Sequence, residues 1–127
     1  MQLNKKEIER YSRQIVLKKI GAGGQTKLLN SSVLIVGAGG LGSPVALYLS
    51  ALGIGKIGII DKDKIEISNL SRQVIFETRD IKKDKATTAV KKLRKINPNI
   101  KLQSFNKKLT SKNINKIASK YKLIIDG

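Results

Sequence analysis

Val33-Leu34-Ile35-Val36-Gly37-Ala38-Gly39-Gly40-Leu41-Gly42 decides how this chain folds, and Ile57-Gly58-Ile59-Ile60-Asp61 sets what the fold holds. The β-branched run from Ser32 to Val36 has no polar alternation and reads as a buried parallel strand. It stops at Gly37, where a sharp turn is needed, and a helix is expected from near Leu41. Gly37 permits the turn, Gly39 removes the Cβ that would keep phosphate off the backbone, and Gly42 lets helix and strand pack closely. Free amides at the helix start then face an anion. Pro44 falls in the first helical turn, where its missing N–H does no harm. Val45, Leu47, Tyr48, Leu49 and Leu52 are expected to form the apolar face of that helix, Gly53 and Gly55 to end it, and Lys56 to open a second strand. Asp61 follows Gly42 by 19 residues, close to the ~20-residue offset of a ribose-binding carboxylate. The pattern is that of a nucleotide binder.

A dinucleotide and a triphosphate can both use such a turn, and the next segment separates them. Lys62-Asp63-Lys64-Ile65-Glu66-Ile67-Ser68-Asn69-Leu70-Ser71-Arg72-Gln73 is longer than the polar turn of an ordinary dinucleotide fold. A triphosphate brings further negative charges and calls for cations and a metal ion. Arg72 offers a planar fork for phosphate oxygens, and Lys85 a mobile point charge. Arginine is sparse in this lysine-rich chain, which points to geometric roles for Arg13 and Arg72. Asp63 either contacts ribose or a metal-bound water, or caps a turn; Ser68 and Asn69 are equally compatible with a turn leading into a short helix. Lys85 taken singly is compatible with a solvated residue at a helix start.

Several separated motifs carry a resemblance. Arg10-Tyr11-Ser12-Arg13-Gln14-Ile15, Gly24-Gln25, the glycine turn, Asp61-Lys62-Asp63, Ser68-Asn69-Leu70-Ser71-Arg72-Gln73, Asp84-Lys85 and Ile96-Asn97-Pro98 stand in the order and spacing of the ThiF/MoeB/HesA proteins. These are the prokaryotic relatives of ubiquitin-activating enzymes, and the chain resembles their N-terminal portion. The resemblance implies an ATP-dependent adenylyltransferase that activates the C-terminal glycine of a ubiquitin-like sulfur-carrier protein, of thiamine or molybdopterin type, as an acyl adenylate. Carried over, Asp61 would bind the ribose hydroxyls and Gly40 would approach the nucleotide through its backbone. Asn69 and Arg72 would hold phosphates, Gln73 would support that segment, and Lys85 would neutralise charge at the α-phosphate. Arg13 would reach into the partner subunit's site of a homodimer. Members of that family continue beyond the equivalent of Leu123-Ile124-Ile125-Asp126-Gly127 with Thr-Asp-Asn, whose aspartate handles Mg2+, then with strands that bind the carrier and paired cysteines that hold zinc. The chain is therefore expected to be an incomplete, truncated portion with weak or no activity of its own.

Composition narrows the alternatives. With no cysteine and no histidine, this span has neither disulfides nor the usual zinc ligands. No apolar run approaches the ~20 residues that span a bilayer, and the polar start lacks a signal core, so a cytoplasmic location is expected and no membrane partner. The net charge of +17 would suit polyanions, yet the lysines are scattered and only two phenylalanines and three tyrosines are present. No stacking platform accompanies the charge, which argues against a specific nucleic-acid role.

Strand and helix alternate along the body. A helix is expected from Asp84 to Ile96, a third strand over Leu102 to Phe105, a helix capped by Ser111 and carrying Ile114, Ile117 and Ala118, and a fourth strand over Leu123 to Ile125. The expected fold is α/β and Rossmann-like, a mostly parallel sheet with helices on both faces and its ligand off the strand C-termini. Residues 1–31 form an N-terminal helical arm, with Asn4 as a cap and Gly21-Ala22-Gly23-Gly24 as a flexible turn; residues 32–127 form the nucleotide-binding domain. Two other functions fit parts of the pattern. An NAD- or FAD-binding oxidoreductase domain accounts for the turn and Asp61 but leaves Ser68 to Gln73 without a role, and a pseudoenzyme would use the fold as a docking module.

Overall fold

The computed structural model describes residues 2–127. Three helices, α1 (Lys5–Arg10), α2 (Ser12–Ile15) and α3 (Gly21–Leu29), precede the first strand, β1 (Ser32–Val36). The chain continues through α4 (Gly42–Leu52), β2 (Lys56–Ile60), α5 (Lys85–Ile96), β3 (Lys101–Phe105), α6 (Ile114–Ala118) and β4 (Leu123–Asp126). The strands form one parallel sheet in the order β3-β2-β1-β4, with Val36 beside Ile60 on one side and Asp126 on the other. The expected α/β architecture is therefore present. Among the described residues no helix is long and apolar enough to cross a membrane.

The pleat divides the core in two. Val33 and Ile35 of β1 and Ile57 and Ile59 of β2 pack with Ala46 of α4 and Ala86, Ala89, Val90 and Leu93 of α5. Leu34, Ile60 and Phe105 point to the opposite face and pack with Ile117 of α6 and Tyr121. The chain builds outward from β1 to β3 and then crosses back to lay β4 on the free side of β1. That reversal opens a crevice at the C-terminal ends of β1 and β4, the usual ligand position in such sheets.

Three local expectations are corrected. Of the face expected for α4, Val45, Leu47 and Leu49 do pack on the core, but Tyr48 is 70% exposed and Leu52 39%, and the fully buried positions are small residues, among them Ser43, Ala46 and Ser50. Close approach of α4 to the sheet, not side-chain bulk, selects its buried face. The Gly21–Gly24 run is the first half of α3 rather than a turn. Gln25, fully buried, fixes it: its side-chain amide donates to the Leu52 carbonyl at 3.0 Å and its oxygen accepts from Gln14 at 2.6 Å. Those tertiary ties override the low helix propensity of glycine. Finally, α6 is preceded by Asn113, whose side chain accepts the Thr110 amide at 2.8 Å; Ser111 does not cap it.

The N-terminal helices are tied to the sheet-forming part of the chain by polar contacts, the buried ones centred on Asn97. Asn4 and Glu7 form a reciprocal capping box at the start of α1. The Tyr11 hydroxyl accepts from Asn97 at 2.8 Å, and Asn97 also donates to the Ser50 carbonyl at 2.9 Å. Gln14 donates to the Leu52 carbonyl at 2.7 Å, so α2 sits at the C-terminal end of α4.

Candidate functional site

The glycine turn has little freedom. Gly37 stands at φ 95°, and its amide donates to the Ile60 carbonyl at 2.9 Å. A Cβ on Gly42 would lie 2.0 Å from the Gly37 carbonyl oxygen, so the start of α4 abuts the end of β1 through bare backbone. Gly40 differs: its nearest neighbour in that direction is Arg72, whose Cδ would lie 3.5 Å from an added Cβ. Gly39 has Gln73 Nε2 at 3.8 Å on the same measure.

Asp61 joins the turn to the segment that follows β2. One carboxylate oxygen accepts the Ala38 amide and the other the Asp63 amide, each at 2.8 Å. An ionised carboxylate has acceptor capacity left after two such bonds, and Asp61 remains partly exposed in the crevice. A cleft of about 240 Å³ opens there, lined by Gly37, Asp61, Lys62, Asp63, Lys107, Lys108, Leu109, Asp126 and Gly127.

The phosphate-binding candidates lie on the other side of Asp63. Ile67–Asn69 is a 3-10 turn in which the Asn69 side chain accepts the Glu66 amide at 2.8 Å. The Asn69 carbonyl accepts the amides of Arg72 and Gln73, and the Arg72 guanidinium donates to the Ser68 carbonyl at 3.1 Å. Arg72 is thereby folded back against Gly40 while staying exposed. Gln73 is buried, and its side-chain oxygen has no hydrogen-bond partner among the described residues. Leu70 packs on the core and Ser71 faces solvent. Lys85, only 7% exposed, opens α5 with its amide on the Asp63 carbonyl at 3.0 Å. It lines a second cleft of about 270 Å³ with Asp63, Lys64, Glu66 and Asn69. Its ammonium forms no ion pair among the described residues, and a buried cation in that condition favours an anion.

The fold thus sets Arg72 against Gly40 and Gln73 near Gly39, links the turn through Asp61 and Asp63 to Lys85, and leaves Asn69 and Lys85 in a cleft that shares Asp63 with the one lined by Gly37 and Asp61. Gly42 serves packing. Arg13 is not brought to them: it is exposed on α2, at the far end of α4, with about 16 Å of helix between it and the turn. Lys107, Lys108 and Leu109 were not among the sequence candidates. Their position directly after β3, at a strand C-terminus, is the signal that would have found them.

Residues 11–127 match the ThiF family. The chain is 43% identical over 127 residues to the sulfur carrier protein adenylyltransferase of Thermus thermophilus, covering 100% of this chain and 47% of that protein. It is 51% identical over 121 residues to the probable molybdopterin-synthase adenylyltransferase of Porphyra purpurea, covering 95% of this chain and 32% of that one. In structure it is similar to MccB of Escherichia coli crystallised with ATP, with a TM-score of 0.77 and 36% identity over 90% of this chain and 35% of the other. The chain spans less than half the length of each of these relatives.

Proposed function

The chain belongs to the ThiF family, and from that premise we propose that it supplies the nucleotide-binding part of an ATP-dependent adenylyltransferase acting on the C-terminal glycine of a ubiquitin-like sulfur carrier. The observation that carries this is Arg72 folded over Gly40, with buried Lys85 on the adjoining side of Asp63. Asp61 would hold the ribose hydroxyls while the amides of the turn and the Arg72 fork take phosphate oxygens. The carrier carboxylate attacks the α-phosphorus, the bond to the β-phosphate bridge oxygen breaks, and pyrophosphate leaves. Lys85 and Arg72 stabilise charge on the phosphoryl oxygens as it spreads in that transition state. Little covalent chemistry is asked of the protein, so positioning and charge neutralisation carry the catalysis.

Among the described residues no group of three or more His, Cys, Asp or Glu side chains could hold a metal ion. A magnesium ion would enter on the triphosphate, held by its phosphates and water, with Asp63 placed to meet one of those waters. The cytoplasm is the proposed setting.

A homodimer with Arg13 acting on the partner's nucleotide is part of the same proposal. Leu41, Tyr48 and Leu52 leave an exposed apolar stripe along α4, continued by Val16 and Leu17 after α2. Antiparallel packing of two such stripes about a two-fold axis would carry Arg13 of one copy towards the glycine turn of the other. Exposed apolar surface of this extent supports a protein partner.

Calorimetric titration with MgATP and with NADH tests the nucleotide. MgATP is expected to bind more tightly, and Arg72→Ala to weaken it by about 1.5–3 kcal/mol through loss of a charge-assisted contact. Preference for NADH, or an unchanged ATP affinity in the variant, would overturn the assignment.

A further inference from the structure

Resting on the nucleotide reading of the site, we propose that Lys92 is a positioning residue: from the middle of α5 it holds Glu77 and Asp80 and so fixes where Arg72 and Gln73 stand over the glycine turn. The stretch from Asp61 to Asp84 carries most of the candidate phosphate ligands yet contains no strand and no α-helix, only the 3-10 turns Ile67–Asn69 and Thr78–Asp80. Its two ends are tied to each other. The amides of Ile65 and Lys82 bond the carbonyls of Lys83 and Ile65 at 2.9 and 2.7 Å, and Lys85 bonds Asp63. Those ties close the loop without fixing its middle on the body.

Burial of Ile75 and Phe76 presses the middle against the core, but apolar contact is not directional. Direction comes from Lys92. Its ammonium lies 2.7 Å from Glu77 Oε1 and 3.2 Å from Asp80 Oδ2, and the same Asp80 oxygen accepts the Glu77 amide at 2.8 Å. Arg79 adds a second cation to Glu77 at 2.7 Å. Asp80 is 3% exposed, so this carboxylate of the loop is packed inward, where Lys92 reaches it from α5. Glu77 follows Phe76, whose amide bonds the Gln73 carbonyl at 3.1 Å, so a shift at Glu77 passes to Gln73 and Arg72 within one turn of chain. Lys82 holds φ 72° beside this clamp, a backbone state that persists where surroundings dictate it.

The test compares the full chain with Lys92→Met and Lys92→Arg. Hydrogen exchange reads the segment without any ligand. Lys92→Met is expected to raise exchange at the Arg72, Gln73 and Phe76 amides at least tenfold while the β1 and β2 amides keep theirs, and Lys92→Arg to restore protection. Calorimetry then asks whether the loss is phosphate-specific: ATP affinity should fall about tenfold and AMP affinity less than twofold, and Arg72→Ala with Lys92→Met should bind ATP no worse than Arg72→Ala alone. Unchanged protection at Arg72 and Gln73, or equal loss of ATP and AMP, would overturn the proposal. A wild-type chain that ignores ATP would sink the nucleotide reading, and the exchange result would still decide whether Lys92 positions the segment.

Discussion

Asp61 accepts the amide of Ala38 at 2.8 Å, so the acid expected to meet the ribose also holds the glycine turn in place. Its second oxygen accepts the Asp63 amide, which aims the following segment across the site. Asp61→Asn puts an amide nitrogen where one of two N–H donors now points. The variant should lose one charge-assisted bond, costing about 1.5–3 kcal/mol in urea-unfolding stability even without nucleotide. Equal stability of the two proteins would show that Asp61 has no structural share.

The glycines of the turn should separate into packing and binding positions. Gly42→Ala forces a Cβ to within 2.0 Å of the Gly37 carbonyl oxygen, and overpacking of that kind costs about 1–3 kcal/mol or more. Gly40→Ala meets only Arg72 at ordinary contact distance, so its melting temperature should match the wild type while ATP affinity falls. Thermal unfolding and calorimetry check the pair, and a destabilised Gly40→Ala would reverse the assignment.

Arg13 lies at the opposite end of α4 from the turn in its own chain, which makes its proposed role testable by mixing. Arg13→Ala and Arg72→Ala chains should each bind ATP weakly. Together they should regain one intact site per mixed dimer, which contains Arg13 from one copy and Arg72 from the other. Absence of recovery in a dimer shown by sedimentation to be mixed would remove Arg13 from the site.

Stability should bend with pH at both extremes through the Lys92 clamp. Burial works to raise the Asp80 carboxyl, but the Glu77 amide and the Lys92 ammonium outweigh it and hold it below its ordinary 3.8. The hydrogen bond from Lys92 holds Glu77 below 4.5 against the opposing effect of desolvation. Their contribution is present above those ordinary values and is lost as pH falls through the lower folded ones. Lys92 runs the other way: desolvation pulls it down, the two carboxylates overcome that, and it ends above 10.5. Its contribution is present below 10.5 and is lost as pH rises through the higher folded value. Burial also raises the Tyr121 hydroxyl above 10.0, so alkaline ionisation of that ring adds to the loss. Urea midpoints across pH should show both limbs in the wild type and a flattened acid limb in Lys92→Met; an identical acid limb would show that Lys92 does not hold the two carboxylates.

The amino-acid pattern alone determined the parallel sheet, the glycine turn and the acid at the tip of β2. These follow from apolar runs and from spacing within a few residues, where local sterics decide. It also marked Asn69, Arg72 and Lys85 as the proposed phosphate-binding set. What it could not decide depends on contacts between distant parts of the chain. Gly21–Gly24 became helical because Gln25 is pinned to Leu52, and Tyr48 turned outward because small residues bring α4 close to the sheet. Arg72 came to lie on Gly40 through tertiary approach joined to its local bond to Ser68, and Lys92 reached Glu77 and Asp80 through tertiary approach. Local propensity names which side chains can hold a charge; only packing of the closed chain fixes the direction in which they hold it.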